Sequence, residues 1–323
     1  MSEPLRTTDD PALTTASLAQ GRRPGAGSPS NAVSGVGPGA KPEWLKKRLP
    51  RAAAMRQMEA LLRTRELHTV CESAKCPNKG ECFERGTATF LVMGGTCTRD
   101  CGFCSVAHGR PAAPDAGEPE RVAEAAAIMG LRHVVITSVT RDDLPDGGAG
   151  HFVATIAAVR RALPHATVEV LTPDFRGDPG ALDLVLDAGP DVFNHNVETV
   201  PRLYSQVRPQ ADYRRSLEVL GHAAEHGSSV VKTGLMVGLG ETEDEVRGVL
   251  DDARRVGVAA VTVGQYLCPG KEHLPVVEYV DPSVFARYRE YGESHGLTME
   301  AAPFVRSSYL AEEGFRRVSH MKR

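Results

Sequence analysis

The sequence predicts an α/β fold built on a parallel sheet buried on both faces, and three observations predict it. Short Val-rich runs recur between residues 88 and 267, each is followed by a segment with helical apolar spacing, and the alternation repeats six times. A length of 323 residues suits one domain of this kind, and 41% apolar residues supply a sizeable core.

The elements can be justified in order. Residues 1–42 hold Gly, Pro, Ala, Ser and Thr without an aromatic side chain, so they cannot bury enough apolar area to offset the entropy of ordering and read as a disordered, low-complexity tail. Order is expected from about Trp44. In PRAAAMRQMEALLRTREL, residues 50–67, Met55, Met58, Leu61 and Leu62 recur at helical spacing. Lys46, Lys47, Arg48, Arg51, Arg56, Arg63 and Arg65 fill much of the remainder, either as a solvated face or as a surface for an acidic partner. ATFLVM from residue 88 reads as a buried strand, followed by a cysteine-rich loop. Helix and strand then alternate: EPERVAEAAAIMG and HVVITSVT, HFVATIAAVRRAL and TVEVLTP, PGALDLVLDAG and DVFNHNVET, DYRRSLEVLGHAAEHG and VVKTGLMVGLG. Thr242 and Glu245 open the next helix as a capping box, AAVTVGQYL is the sixth strand, and SVFARYREYGESHG the final helix.

Polar residues gather where these strands end: Ser138, Thr140, Arg141, Asp142 and Asp143; Asn194, Asn196 and Glu198; Lys232; Gln265. Ligands of parallel sheets and barrels bind at the carboxyl ends of the strands, so the cysteine loop and these groups should share one mouth. Arg141, Asp142 and Asp143 read either as substrate-facing or as loop salt bridges. GLGE, residues 238–241, lacks the third glycine of a dinucleotide fingerprint.

Six of the seven cysteines stand in two triplets. CESAKCPNKGEC places Cys71, Cys76 and Cys82 as C-x4-C-x5-C, and CTRDCGFC places Cys97, Cys101 and Cys104 as C-x3-C-x2-C. In a reducing compartment such clusters are metal ligands more often than disulfides. A structural zinc site wants four ligands, commonly as two C-x2-C halves. Three thiolates at close, uneven spacing instead suit a cuboidal 4Fe–4S cluster with one iron left open, and open coordination sites do chemistry. Cys268, in QYLCPGK, is assigned no role.

Composition excludes other classes. A net charge of −3, a pI near 6.4 and 5% aromatic residues argue against a nucleic-acid surface. The longest apolar runs, HVVITSV and SVVKTGLMVGL, are too short to span a membrane, and the first twenty residues carry Glu3, Asp9 and Asp10 without the apolar stretch of a signal peptide. A soluble cytoplasmic protein is the expectation.

CTRDCGFC resembles the signature of the radical S-adenosylmethionine superfamily, which implies a partial (β/α)6 barrel of TIM type. The open iron then binds the amino and carboxylate groups of S-adenosylmethionine, whose reductive cleavage gives a 5′-deoxyadenosyl radical. The wider set CESAKCPNKGEC, CTRDCGFC, ITSVTRDDLPDGGA, FNHNVETVPRLYSQVRP, KTGLMVGLGE and FVRSSY resembles the lipoyl synthase family from about residue 43 to about 310.

This resemblance implies a second, auxiliary 4Fe–4S cluster on Cys71, Cys76 and Cys82, completed by Ser308 of the RSSY motif. It also implies the organisation: the tail 1–42, an N-terminal extension 43–87 with the auxiliary motif, a radical core 88–298, and a C-terminal segment 299–323, both extensions covering the barrel mouth. The implied reaction inserts sulfur at C6 and C8 of an octanoyl chain on a lysine of a lipoyl carrier protein, with the auxiliary cluster as sulfur donor. Those carbons offer no acidic proton and no leaving group, so acid–base catalysis has nothing to act on. Asn196, Glu198, Arg208 and Lys232 are the candidates for gripping S-adenosylmethionine. The implied partners are octanoylated carriers (lipoyl domains of 2-oxoacid dehydrogenases and the glycine cleavage H protein), an electron donor such as flavodoxin or ferredoxin, and an iron–sulfur carrier that repairs the auxiliary cluster. Two competing readings are another sulfur-inserting or methylthiolating radical enzyme, which should lack the Cys71 spacing together with RSSY, and a non-catalytic electron carrier or zinc module, which needs no six-unit barrel.

Overall fold

Along the long strands one face carries mostly large apolar side chains hidden from water: Val134 and Ile136, Val168 and Val170, Phe193, Val231 and Leu235, Val261 and Val263. Each such side chain contributes roughly 1.5–3 kcal/mol through burial. These residues pack with the helices into one core. The alternate positions, which face the other way, are more polar: His133, Thr137, Glu169, Asn194, Lys232 and Thr262, with Gly234 and Gly264 among them.

The computed structural model describes residues 39–47, 52–85 and 87–321, all within the unit spanning 36–323. The expected tail therefore lies outside the described residues up to residue 38, as do Arg48 and Arg51. The chain begins with α1 (Ala52–Thr64), β1 (His68–Thr69), α2 (Val70–Ser73), α3 (Lys79–Glu84) and β2 (Thr89–Val92). The cysteine loop carries a two-stranded pair, β3 (Thr96–Cys97) and β4 (Ala107–His108). Then come α4 (Glu118–Ile128), β5 (His133–Ser138), α5 (Ala149–Ala162), β6 (Thr167–Leu171), α6 (Pro179–Asp187), β7 (Val192–Asn194), α7 (Tyr204–Val207), α8 (Tyr213–His226) and β8 (Val230–Val237). The chain continues through α9 (Glu243–Arg255), β9 (Ala260–Gln265), α10 (Pro282–Ser294), β10 (Thr298–Ala301) and α11 (Ala311–Met321).

Strand order in the main sheet is β1-β2-β5-β6-β7-β8-β9-β10. β1 is antiparallel to β2, and every later pair is parallel. Because the parallel strands follow chain order without reversal, right-handed crossovers place the helices on one face and leave the other as a lumen, the arrangement of a partial (β/α) barrel. The six predicted units are present, and Thr242 and Glu245 make the capping box at α9. Several short elements before α4, together with α7, were not predicted, and neither were the last two elements of the chain. β10 has only four residues, of which two are apolar, and follows the left-handed Gly296, so it reads as the fraying end of a helix. α11 packs through Val318 and Phe315 on Val192, Val230 and Ala260 at the amino ends of the strands. Among the described residues no helix is long and apolar enough to cross a membrane.

Between β10 and α11 the chain runs through the lumen from the carboxyl toward the amino ends of the strands. Gln265 N donates to Pro303 O at 3.2 Å, and Lys232 Nζ to Ser307 O at 2.5 Å. This path needs glycine on the strands beneath it: a Cβ on Gly264 would lie 2.1 Å from Val305 O. Since that neighbour is backbone, it cannot move aside alone. Gly264→Ala is expected to cost about 1–3 kcal/mol and to speed amide exchange across residues 303–309, measured by hydrogen–deuterium exchange.

Candidate functional site

The Cys97 loop follows β2 through a turn in which Met93 (φ 66°) and Gly94 (φ 86°) are left-handed. Its backbone is tied to three other loops. Thr98 N donates to Thr140 O (3.0 Å), Gly102 N to Val207 O (3.0 Å), and Leu274 N to Gly102 O (2.9 Å). The amides of Arg99 and Thr140 point at Cys97 Sγ from 3.4 and 3.3 Å. The Arg99 guanidinium clamps Asp142 (2.7 and 2.9 Å) and Asp174 (2.7 and 3.1 Å), with Arg99 and Asp174 both buried. Arg141 holds Asp143 in the same way at 2.8 and 2.9 Å, so the acidic pair of this loop forms salt bridges. In GLGE, the Glu241 carboxylate takes the amides of Gly238 and Leu239, a self-contained turn.

Burial, with Cys101 and Cys97 beside it, pushes the Cys104 thiol up to about 12. Burial also raises Cys101, against the pull of the Arg208 charge. Glu198 is raised by burial, and its backbone is left-handed at φ 65°, an unfavourable conformation for a glutamate that recurs at binding sites. Asn196 Nδ2 donates to Glu198 Oε1 at 3.0 Å. Arg208 Nη1 donates to Asn196 O (2.9 Å) and to Tyr204 OH (3.2 Å). From there a directed chain runs through Tyr204 OH to Ser216 Oγ (3.2 Å), Ser216 to His195 Nε2 (3.1 Å), and His195 Nδ1 to Thr172 O (2.9 Å). Because a carbonyl only accepts, His195 carries its proton on Nδ1. Among the described residues Ser138 Oγ, Thr172 Oγ1, Asn194 Oδ1, Thr199 Oγ1 and Arg208 Nε are buried without a partner. All lie at or just beyond the carboxyl ends of β5, β6 and β7, where a polar ligand would satisfy such atoms.

The second triplet lies on α2, α3 and the turn between them. Thr69 caps α2 by accepting from Glu72 N, and Cys76 N donates to Cys71 O at 3.2 Å. Burial, then the neighbouring thiols, pushes Cys71 up to about 12 and Cys82 to about 11. The two cysteine loops touch where Ser105 Oγ donates to Ser73 O at 3.0 Å. The C-terminal segment closes on the same triplet: Asn78 Nδ2 donates to Phe304 O and Tyr309 OH to Glu81 Oε1, both at 2.7 Å. Lys47 Nζ lies 4.8 Å from the Phe304 ring centre and 5.4 Å from that of Tyr309. The Arg306 charge is felt at both Cys76 and Glu198. Ser307 Oγ donates to Asn196 Oδ1 at 2.7 Å, whereas the Ser308 hydroxyl has no hydrogen-bond partner among the described residues.

These donor sets fit iron–sulfur clusters. Within each triplet the thiols feel one another, yet among the described residues no three Cys, His, Asp or Glu converge as one metal ion would require. In a cuboidal cluster each thiolate binds a different iron, so convergence is not needed. Desolvated thiols release protons only against incoming positive charge, which iron supplies.

Of the residues singled out in the sequence, Glu198 and Arg208 stand beside Cys101, and Asn196 links them to Ser307. Lys232 lies on the lumen side, bonded to Glu169 and the Ser307 carbonyl. Cys268 is exposed, its thiol donating to Gly270 O at 3.0 Å. Sequence reasoning missed Arg99 and Arg306. Both lie inside the quoted motifs, so an arginine flanked by ligand-type residues was the available signal.

Residues 91–253 match the model of the radical SAM superfamily. The chain is 58% identical over 271 residues to the lipoyl synthase of Oleidesulfovibrio alaskensis, covering 84% of this chain and 93% of that one. It is 52% identical over 315 residues to the lipoyl synthase of Methylococcus capsulatus, covering 96% and 98%. Among solved structures, Streptococcus suis SuiB bound to S-adenosylmethionine superposes with a TM-score of 0.52 at 12% identity, over 69% of this chain and 53% of that one, a likeness of fold.

Arg99→Met leaves the buried Asp174 carboxylate with only the Arg176 amide (3.1 Å) and a 3.5 Å contact to Arg215, and we expect a loss of about 3 kcal/mol in urea unfolding. His195 is lowered to about 4 by burial and then by Arg208, from an ordinary 6.5. The unfolded chain thus takes up this proton first, so stability complete above pH 6.5 is lost as pH falls toward 4, on the order of 3 kcal/mol. Urea midpoints of the parent and His195→Gln should converge across that window.

Proposed function

This chain belongs to the lipoyl synthase family within the radical SAM superfamily, and from that membership we propose how its residues divide the work. The reaction places two sulfur atoms on C6 and C8 of an octanoyl chain borne by a lipoyl carrier protein. We assign the radical-generating cluster to Cys97, Cys101 and Cys104, and the auxiliary cluster to Cys71, Cys76, Cys82 and Ser308. When bound, the first cluster supplies reductive cleavage of S-adenosylmethionine and the second supplies sulfur.

The observation that carries this reading is the meeting of both thiol triplets with the RSSY segment at one mouth, through Ser105 and Ser73, Tyr309 and Glu81, and Ser307 and Asn196. In this arrangement Glu198, Arg208 and Asn196 take the polar end and ribose of S-adenosylmethionine, the unsatisfied Arg208 Nε being one free donor. Lys232 is left out of that group because both its hydrogen bonds run to the lumen network and the C-terminal segment. The hydroxyl of Ser308 is open to a ligand role, and a hard oxygen among soft thiolates makes a contact that is readily released. Segment 43–87 contributes the auxiliary thiols, 88–298 the radical core, and 299–323 the serine.

The chain's own task is positional. It must hold the octanoyl carbons against the radical source and then against the sulfur donor, and exclude competing partners. A donor consumed in turnover needs rebuilding, so the proposal includes an iron–sulfur carrier, a reductant of the flavodoxin or ferredoxin kind, and a cytoplasmic setting.

Changing Cys97, Cys101 or Cys104 to Ala is expected to abolish S-adenosylmethionine cleavage. The same change at Cys71, Cys76 or Cys82 should leave cleavage running while an octanoylated carrier peptide gains no sulfur. Chromatography of 5′-deoxyadenosine and mass spectrometry of the peptide decide it, and equal loss of cleavage in both sets would refute the division.

A further inference from the structure

Lys232 points from β8 into the lumen, 8% exposed. Its ammonium group donates to Glu169 Oε1 at 2.9 Å and to the Ser307 carbonyl at 2.5 Å. Glu169, 1% exposed, also meets His133 Nε2 at 3.1 Å and Asn194 Nδ2 at 3.3 Å. Burial alone would raise its carboxyl, but the Lys232 charge and His133 outweigh it and bring the value down to about 2. The carboxylate therefore stands ionised inside the barrel, beside the Lys232 side chain. A buried ion pair is seldom more stable than a well-packed apolar pair, so its presence calls for a role beyond stability.

Geometry supplies that role. Ser307 is gripped twice, by Lys232 at its carbonyl and by Asn196 at its hydroxyl. On the other side of Ser308, Tyr309 is tied to Glu81, between Cys76 and Cys82. Gly234 makes room for this grip, since a Cβ there would stand 3.0 Å from both Ser307 Oγ and Asn196 Oδ1. The backbone is thus anchored before and after Ser308, whose hydroxyl has no hydrogen-bond partner among the described residues.

We infer that Lys232, held by Glu169, is a positioning residue that fixes the backbone beside Ser308 and so sets how firmly the serine holds the auxiliary cluster. This rests on the assignment of Ser308 and the Cys71 triplet to that cluster. An ammonium-to-carbonyl hydrogen bond has the strength for it, being stronger than a neutral one and shielded here from water.

The test uses the full chain with Cys97, Cys101 and Cys104 changed to Ala, so that only the auxiliary site loads. Iron release to a chelator and the paramagnetic resonance spectrum of the reduced cluster are compared among this parent, Ser308→Ala, and the double variant Lys232→Met with Glu169→Gln. The double variant removes both charges together and leaves no unpaired ion to unfold the barrel. It is expected to release iron roughly tenfold faster, the weight of one charge-assisted hydrogen bond, and to share the altered spectrum of Ser308→Ala. Adding Ser308→Ala to it should accelerate release no further. Parent-like release from the double variant while Ser308→Ala accelerates would overturn the positioning role, as would additive effects. If Ser308→Ala itself changes neither release nor spectrum, the serine assignment fails and takes the positioning role with it.

Discussion

A thiol moved out of water among other thiols holds its proton, and Cys71, Cys82 and Cys104 are pushed to about 12, about 11 and about 12. The surrounding architecture answers that constraint. Thiolates this costly to form cannot be left to find their geometry after deprotonation, so the backbone sets it beforehand. Arg99 is anchored on Asp142 and Asp174, Thr69 caps α2 two residues before Cys71, and the Cys97 loop borrows partners from three other loops. Arg208 brings positive charge to the same neighbourhood, which eases the ionised state of Cys101 without competing as a ligand.

Much of this was legible in the sequence because the signals are local. Cysteine spacing is local, and so is the Val-rich period of a strand buried on both faces, which fixed all six βα units. What stayed hidden depends on chain segments far apart. Arg99 reads as an ordinary loop residue until Asp174 arrives from 75 positions away. Lys232 reads as a mouth residue, yet its stem rises from the lumen floor and its charge is taken by Glu169 and by a carbonyl 75 residues later. β10 is too short to announce itself and exists because the edge of β9 is available to pair. The choice between salt bridge and ligand contact could not be made from sequence for Asp142, whose partner Arg99 lies 43 residues away, whereas Asp143 pairs with Arg141 only two residues before it.

The sequential strand order also explains how one fold houses both sites. An open sheet that never reverses has a lumen, and a lumen with a gap between first and last strands needs a filler. Here the C-terminal segment fills it, with glycines 234 and 264 beneath. The filler carries Ser308, so on the proposed assignment of that serine sealing the barrel and completing the second site are one structural event.

The position of Arg306 has a consequence in the language of linkage. Its charge acts on Cys76 in one triplet and on Glu198, which itself acts on Cys101 and Cys104 in the other. Two centres that share a cation in a water-poor interior do not have independent electrostatics. Whatever charge one gains or gives up alters the field at the other, and thermodynamics makes that influence equal in both directions. On the proposed assignment of the two clusters, the two sites are thus a coupled pair, each a reporter of the other's state.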